Sequence, residues 1–333
     1  MAGHKLIFVN KTPYRVWSGI SAHRDQDFIL GYQPDLHLRL AKELVESLDQ
    51  EDNSHAVLGL RLLYGLSLEA FFALLFATLQ APEAPAAWLL LYRSDDLESL
   101  IRCFQAGDDL PSRFVCPEPG SWEALALMLF PELLPDDDDC RDRVQRLGSF
   151  WAECANEFLD EDMKAEFNGL KHGARIRSAA PYLAIGGQEI EGDEHGSWFA
   201  TCETSKSDVL LGICARSWSG RTLYSHLKLL AMSSGNLVGL LKLLHKAGDT
   251  SQLVIEIPEP EELDAAKLSR KPLAGLRIGG SWEKSRQASK LSYEEAINEY
   301  KKYSGPLKFG GELVRRSAQP DASSGQPASP SAR

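Results

Sequence analysis

The feature that most constrains the fold is the segment from Val57 to Ala81, which is apolar on almost every face of a helix. Its large apolar residues are Leu58, Leu60, Leu62, Leu63, Leu66, Leu68, Phe71, Phe72, Leu74, Leu75 and Phe76. Such a helix must be covered on all sides, either by other helices or by lipid. Arg61 and Glu69 interrupt it, and an acidic residue near the middle of a membrane span costs roughly 3 kcal/mol. We therefore expect a helix at the centre of a bundle, and no membrane association.

Helical periodicity continues on both sides of this segment. Predicted helices lie near residues 36–48, 55–80, 86–92, 95–106, 121–130, 140–159, 161–175 and 222–247. Between the last two, Tyr182–Ile185, Ser197–Cys202 and Val209–Arg216 are separated by Gly, Asp, Glu and Ser clusters, a pattern typical of hairpin strands. The sequence therefore predicts a mainly α fold, a helical bundle with a small antiparallel β appendage.

The predicted organisation of the chain has four parts. Residues 1–33 are expected to form a short strand, Lys5 to Asn10, followed by irregular structure. Residues 34–247 form the bundle, with the β insertion at about 180–217. Residues 248–316 are expected to be a basic α+β segment, with a strand at Leu253–Ile257. Residues 317–333 are dominated by Ala, Ser, Pro, Gly and Gln, which predicts a disordered tail.

The charge of the chain is distributed unevenly. The formal net charge of −11 argues against a protein that coats DNA through its overall field. Residues 1–160 carry 13 basic and 26 acidic side chains, whereas residues 265–316 carry 12 basic and 5 acidic ones. Two interpretations of the basic segment remain open: it docks on the acidic helical half, or it binds a polyanion.

Cysteine spacing indicates the cellular compartment. The six cysteines lie far apart without a Cys-x-x-Cys pair, and the N-terminus lacks the apolar stretch of a signal peptide. We therefore expect free thiols in a reducing cytoplasm.

The acidic run at 136–139 precedes a predicted helix, where carboxylates complement the helix dipole. A metal site there would need further oxygen ligands at set spacing, and none is visible, so we expect no metal and no cofactor.

One helix end combines basic, amide and imidazole side chains. Lys164, Asn168 and His172 follow one another at four-residue steps, so they share a helix face, and Lys171 and Arg175 lie beside it. Met163, Phe167 and Leu170 form an adjacent apolar stripe that would attach the helix to the bundle. One interpretation is a solvated basic face at a helix C-terminus. The other uses His172 as a general acid or base, with Lys171 and Arg175 holding a phosphate.

The stretch Phe-Asn-Gly-Leu-Lys-His-Gly, residues 167–173, resembles the Asn…Lys-His-Gly signature of HEPN-like proteins. The segment from Leu62 to Ala70 is similar to the long early helix of that superfamily, an apolar helix with an embedded Glu. The resemblance implies a helical bundle, often dimeric, that handles RNA or nucleotides in stress, defence or toxin systems. From it we expect contact with RNA or a nucleotide, and a homodimer or partner protein held through the bundle.

Catalytic members of the superfamily carry an Arg, usually followed by a polar residue, four to six positions before the His. Asn168 and His172 match the polar residue and the His, whereas the Arg has no counterpart, because residues 166–168 are Glu, Phe and Asn. The resemblance therefore implies a binding or regulatory role more than catalysis. One alternative is a metal-independent endoribonuclease in which Arg175 or Arg177 replaces the missing Arg. A second is a protein-interaction scaffold that uses the helix from Leu223 to Leu244.

Glu69 is the second polar feature of the central helix. A carboxylate in so apolar a helix needs a partner, because an unpaired buried charge is costly. Arg61 lies two turns before Glu69 on nearly the same side of the helix, and Lys171 or His172 can reach Glu69 from a neighbouring helix. The candidate catalytic residues are thus His172, Asn168 and Glu69. The candidate binding residues are Lys164, Lys171 and Arg175.

Overall fold

The computed structural model describes residues 3–50, 53–130, 138–172, 176–179, 182–185, 188–191, 195–204, 208–248, 256–267 and 278–283. The elements are β1 (His4–Val9), β2 (Thr12–Trp17), α1 (Ser18–Gly31), α2 (Leu36–Glu46), α3 (Ser54–Gln80), α4 (Pro85–Leu91), α5 (Ser94–Gln105), α6 (Trp122–Leu129), α7 (Asp138–Leu159), α8 (Glu161–Lys171), β3 (Ile176–Ala179), β4 (Tyr182–Ile185), β5 (Gln188–Glu191), β6 (His195–Thr204), β7 (Asp208–Trp218), α9 (Gly220–His245), α10 (Pro260–Lys267) and β8 (Ile278–Glu283). The predicted mainly α fold with a small β appendage is confirmed.

Helix α3 forms the centre of the core, as its apolar faces predict. It contacts α2, α4, α5, α7, α8 and α9, so almost no side of it is left to solvent. The ring of Phe71 lies 5.3 Å from that of Trp151 on α7, and the ring of Phe72 lies 5.8 Å from that of Trp122 on α6. Each such side chain stabilises the fold by about 1.5–3 kcal/mol when it leaves water. The central position of this helix is confirmed.

Two helices of the described residues, α3 and α9, are long and apolar enough to cross a membrane, with mean hydropathy of 1.9 and 1.4 in their most apolar windows. Core helices of soluble proteins meet the same criterion, so it is weak support for a span. In this fold 78% of the α3 window and 50% of the α9 window are buried against other elements. Packing inside the bundle therefore accounts for much of their apolar character.

The N-terminal region differs from the irregular structure expected after the first strand. β1 and β2 pair as an antiparallel hairpin, and α1 follows at once. Asn10 adopts φ 56° at the turn, a left-handed conformation that Asn tolerates better than most residues. The sequence does not reveal α1 because its larger apolar residues, Ile20 near the start and Phe28 to Leu30 near the end, do not form a stripe along the helix.

Strands β3 to β7 of the β appendage lie between α8 and α9, where hairpin strands were predicted, and β8 follows α10. β6 and β7 pair antiparallel, with a register that runs from His195 opposite Trp218 to Thr204 opposite Val209. The four-stranded sheet has the order β3-β6-β7-β8. β4 and β5 form a separate hairpin. The expected strand at Leu253–Ile257 lies partly outside the described residues, and Glu256 and Ile257 have no regular structure. Helix α10 follows them and was not predicted.

Helix α9 packs its predicted leucine seam into the bundle. Leu223, Leu227, Leu230, Leu237 and Leu241 are all buried, whereas Leu244 at the end of the helix is exposed. The seam faces α3 and α2, which are the main neighbours of α9. It is therefore used within the chain, which leaves little of it for the partner helix that the scaffold alternative requires.

Candidate functional site at the end of helix α8

Helix α8 begins and ends with local hydrogen bonds that its sequence encodes. The carboxylate of Asp160 accepts a hydrogen bond of 2.7 Å from the backbone N–H of Met163, which caps the N-terminus. At the other end His172 is the capping residue, and its backbone N–H donates to the carbonyl of Asn168 at 3.1 Å. The helix was expected to continue to about residue 175. It ends at Lys171, and Gly173 to Arg175 lie outside the described residues.

The inner face of α8 is fixed to α3 by a buried ion-pair network. Arg61 donates through Nε and Nη2 to Oε2 of Glu166, at 3.0 and 2.9 Å, and through Nη1 to Oε1 of Glu157 at 3.0 Å. The hydroxyl of Tyr64 donates to the other oxygen of Glu157 at 2.8 Å. The side chains of Arg61 and Glu166 are 3% and 0% exposed. Because the charged groups of this network are hydrogen-bonded to one another, it holds α3, α7 and α8 in one arrangement.

The charges in this network stabilise one another. Burial by itself disfavours the charged form of Glu157, but Arg61 and then His226 and Arg216 outweigh it and lower the pKa of that carboxyl to about 2. Burial also opposes the charge of Arg61, and the two carboxylates, Glu166 foremost, nevertheless raise the pKa of the guanidinium above its usual value. Arg61 and Glu157 are therefore both ionised throughout the physiological range.

The motif residues Phe167 and Lys171 also attach α8 to α3. The ring of Phe167 lies against Gly65, where an added Cβ would overlap it. One turn further along both helices, Nζ of Lys171 lies 2.8 Å from Oε2 of Glu69 and 4.1 Å from the centre of the Phe167 ring. The residue numbers of the contacting residues increase in the same direction on both helices, from Arg61 to Glu69 on α3 and from Glu166 to Lys171 on α8. Helix α8 therefore runs parallel to α3. Two of the seven motif residues thus serve packing.

Glu69 has the partner that the sequence suggested from a neighbouring helix. Of the three candidates, Lys171 forms the ion pair, while Arg61 is engaged by Glu166 and Glu157. The hydroxyl of Ser94, at the start of α5, also donates to Oε1 of Glu69 at 3.4 Å. The carboxylate of Glu69 thus links α3, α5 and α8.

Lys164 lies on the same side of the bundle and is also paired. Its Nζ lies 2.6 Å from a carboxylate oxygen of Glu98 on α5 and 2.9 Å from one of Glu161. Partial burial acts against the ammonium charge, and the hydrogen bonds to both carboxylates outweigh it and raise the pKa of Lys164. Within the described part of α8, each lysine is therefore matched by at least one carboxylate, and the predicted basic face is largely neutralised.

Asn168 and His172 remain at the surface, one helical turn apart. Both residues are exposed, and no side-chain hydrogen bond engages His172 among the described residues. Arg93 is exposed at the start of α5, next to the Ser94 that contacts Glu69. We call Asn168, Lys171, His172, Glu69 and Ser94 the α8 corner. Arg175 lies outside the described residues, as does the side chain of Arg177.

The α8 corner combines hydrogen-bonding groups with one lysine. A carboxamide offers both donors and an acceptor, and an imidazole offers one of each near neutral pH. Cleavage of a phosphodiester needs a cation beside the imidazole to stabilise the developing charge. Lys171 is close in sequence, but its ammonium contacts Glu69, and no arginine contacts His172 among the described residues. The arrangement suits recognition better than catalysis.

Sequence reasoning missed Glu157, Glu166 and Tyr64. One signal was available, because Arg61 in an apolar helix requires a carboxylate partner as much as Glu69 requires a cation. The partner itself could not be chosen, since Glu157 and Glu166 lie 96 and 105 positions away along a chain rich in acidic residues. No cluster of His, Cys, Asp or Glu able to hold a metal ion occurs in the described ranges.

Comparison of the chain with protein-family models, with curated proteins and with solved structures gives no match. The resemblance of residues 167–173 and of the central helix to HEPN-like proteins therefore stays a prediction from the sequence.

Proposed function

We propose that this chain is a HEPN-like binding or regulatory protein that contacts RNA or a nucleotide through the α8 corner. The observation that carries the proposal is the exposure of Asn168 and His172 on a helix held by buried ion pairs. A rigid helix presents side chains in one geometry, so little ordering entropy is lost when a ligand binds. The amide and imidazole suit base edges and ribose hydroxyls, the groups by which proteins recognise single-stranded RNA.

Binding is favoured over cleavage by the charges of the described residues around His172. Lys171 can approach a phosphate only in competition with Glu69, which lies 2.8 Å from its ammonium. The exposed Arg93 belongs to the neighbouring helix and lies outside the motif that resembles the catalytic signature. We therefore expect few phosphate contacts and a binding constant that depends only weakly on salt. The slope of log binding constant against log salt concentration should be about −0.7 for each phosphate contact with a single strand.

We further propose that the protein acts in the cytoplasm, either as a homodimer or with a partner protein held through the bundle. The four cysteines that can be assessed in the described residues, Cys103, Cys116, Cys140 and Cys154, are free thiols, which suits a reducing compartment. Light scattering on the purified chain tests the dimer directly, because a monomeric mass at micromolar concentration contradicts it.

Titration of labelled mixed-sequence single-stranded RNA with purified protein tests the main proposal. His172→Ala and Asn168→Ala should each weaken binding roughly tenfold, the loss of one or two good hydrogen bonds. His55→Ala is the matched control, since His55 is also exposed and begins α3, about 21 Å along the helix axis from Glu69. Equal affinities for all four proteins, or no binding by the wild type, would contradict the proposal.

The endoribonuclease alternative makes a different prediction in the same preparation. Incubation with mixed RNA should leave the RNA intact if the α8 corner only binds it. Cleavage by the wild type that His172→Ala abolishes and His55→Ala preserves would establish the nuclease instead. It would also direct attention to Arg93, Arg175 and Arg177 as replacements for the arginine that the motif lacks.

A further inference from the structure

A cavity of about 700 Å³ that is open to solvent lies on a different side of α3 and is lined by α1, α2, α3 and α9. Its size falls within the range of small-molecule sites, which is roughly 300–1,000 Å³. Most of its wall is apolar, formed by residues such as Phe28, Leu36, Ala70, Leu227, Leu230 and Ala231. Leu36 is 45% exposed, so apolar wall meets solvent at the mouth. Replacing water on such a wall is favourable by about 25 cal/mol per Å².

Polar groups from separate helices converge on this wall. Nδ1 of His37 on α2 lies 3.0 Å from the hydroxyl oxygen of Ser67 on α3, and Ser234 of α9 also lines the cavity. No described residue hydrogen-bonds the other ring nitrogen, Nε2, of His37. The imidazole and the hydroxyl together can therefore offer a ligand either a donor or an acceptor.

The charges around the cavity select against an anion. Among the described residues that line it there is no lysine or arginine, and the one acidic residue is the exposed Asp27. Burial lowers the pKa of His37, which keeps the imidazole neutral at physiological pH. An anion would lose its hydration without gaining a cation, whereas an uncharged polar group would gain a hydrogen bond.

The position of Ser67 points to binding and not to nucleophilic catalysis by a Ser–His pair. Ser67 lies in the interior of α3, where the backbone N–H groups donate to carbonyls of the same helix. Such a site has no free backbone donors for the oxyanion that forms when a serine attacks a carbonyl. A hydroxyl in this setting can hold a ligand but lacks the means to stabilise a tetrahedral intermediate.

We propose that this cavity binds an uncharged, mainly apolar small molecule whose single polar group hydrogen-bonds to His37 and Ser67. The short connection from α1 to α2, residues 32–35, forms part of the wall and contains Pro34, whose ring restricts the backbone. This part of the wall therefore has fewer backbone conformations available before a ligand binds. This site is separate from the α8 corner and independent of its proposed function.

A series of naphthalenes that differ only in one substituent tests the proposal on the full-length chain by calorimetric titration. 2-Naphthol is uncharged and can hydrogen-bond, 2-naphthoate is an anion, and naphthalene has no polar group. We expect 2-naphthol to bind, naphthalene to bind roughly two- to tenfold more weakly for want of one hydrogen bond, and 2-naphthoate more weakly than either.

Variants locate the binding within the cavity. Ala231→Trp should abolish 2-naphthol binding by filling the space, whereas Ala152→Trp, on α7 and outside the cavity lining, should leave it unchanged. Ser67→Ala should reduce the preference for 2-naphthol over naphthalene, because only His37 remains as a partner, without affecting naphthalene itself. If Ala231→Trp loses its circular dichroism spectrum, Ala70→Leu supplies the same test. Binding of 2-naphthoate as tight as that of 2-naphthol, unchanged binding in the filled cavity, or no binding by the wild type would overturn the proposal.

Discussion

The inner and outer faces of α8 carry ion pairs of almost the same length in different surroundings. Arg61 and Glu166 lie 2.9 Å apart with side chains 3% and 0% exposed, whereas Lys171 and Glu69 lie 2.8 Å apart with 33% and 20% exposed. Water and salt screen the outer pair, so it contributes about 0.2–1 kcal/mol. Removing one member of a buried pair costs about 3–5 kcal/mol, because the remaining charge has no partner. The two ion pairs therefore differ in burial and not in distance.

The largest effect is expected from Arg61→Ala. The substitution removes the guanidinium that Glu166 and Glu157 both contact, and the free energy of unfolding should fall by about 3–5 kcal/mol. Urea titration measures the change through the midpoint and its slope. Arg61→Lys should retain part of the stability, since it keeps the charge but loses the planar fork. A loss below 1 kcal/mol for Arg61→Ala would remove the distinction between the two faces.

Acid should weaken the inner face next. The pKa of Glu157 is about 2 in the fold against an ordinary value of 4.5, so its contribution is complete above pH 4.5 and is lost as pH falls toward 2. The shift corresponds to a stability loss on the order of 3 kcal/mol. Urea midpoints measured between pH 6 and pH 2.5 test it, with Glu157→Gln as the control. That variant should be less stable at pH 6 and lose less on acidification.

Gly65→Ala tests the packing between the two faces. A methyl group there overlaps the ring of Phe167, which must shift and carry α8 with it. Overpacking of this kind costs about 1–3 kcal/mol, to be measured as a lower thermal midpoint. Gly3→Ala provides a comparison, because nothing lies within 4 Å of an added Cβ at that position. Equal stability of the two variants would show that Phe167 can move without disturbing α8.

The smallest effect is expected from the outer face. Lys171→Ala removes the ion pair with Glu69 and the contact with the Phe167 ring, and should cost at most about 1 kcal/mol. Most of that loss should disappear in 1 M salt, where charges at the surface are screened. A salt-independent loss above 2 kcal/mol would instead place Lys171 with Arg61 as part of the buried attachment.

Several elements of this architecture follow from local sequence. The central helix and the leucine seam of α9 are visible because long, regular apolar patterns have one economical solution, burial against other helices. The ion pair between Glu69 and Lys171 was also among the predicted contacts. In contrast, α1 has no apolar stripe. It packs against α4 and α9, and these contacts cannot be predicted from its local sequence.

The sequence by itself determined that the chain is mainly helical, that α3 lies at its centre, and that a His-bearing helix follows the acidic half. Tertiary structure alone decided that Arg61 meets Glu157 and Glu166 and that Lys164 meets Glu98. It also decided that α1, α2, α3 and α9 line an open cavity beside His37 and Ser67. The physical reason is that helix formation depends on neighbours within four residues, whereas charges and cavities depend on which distant faces come together.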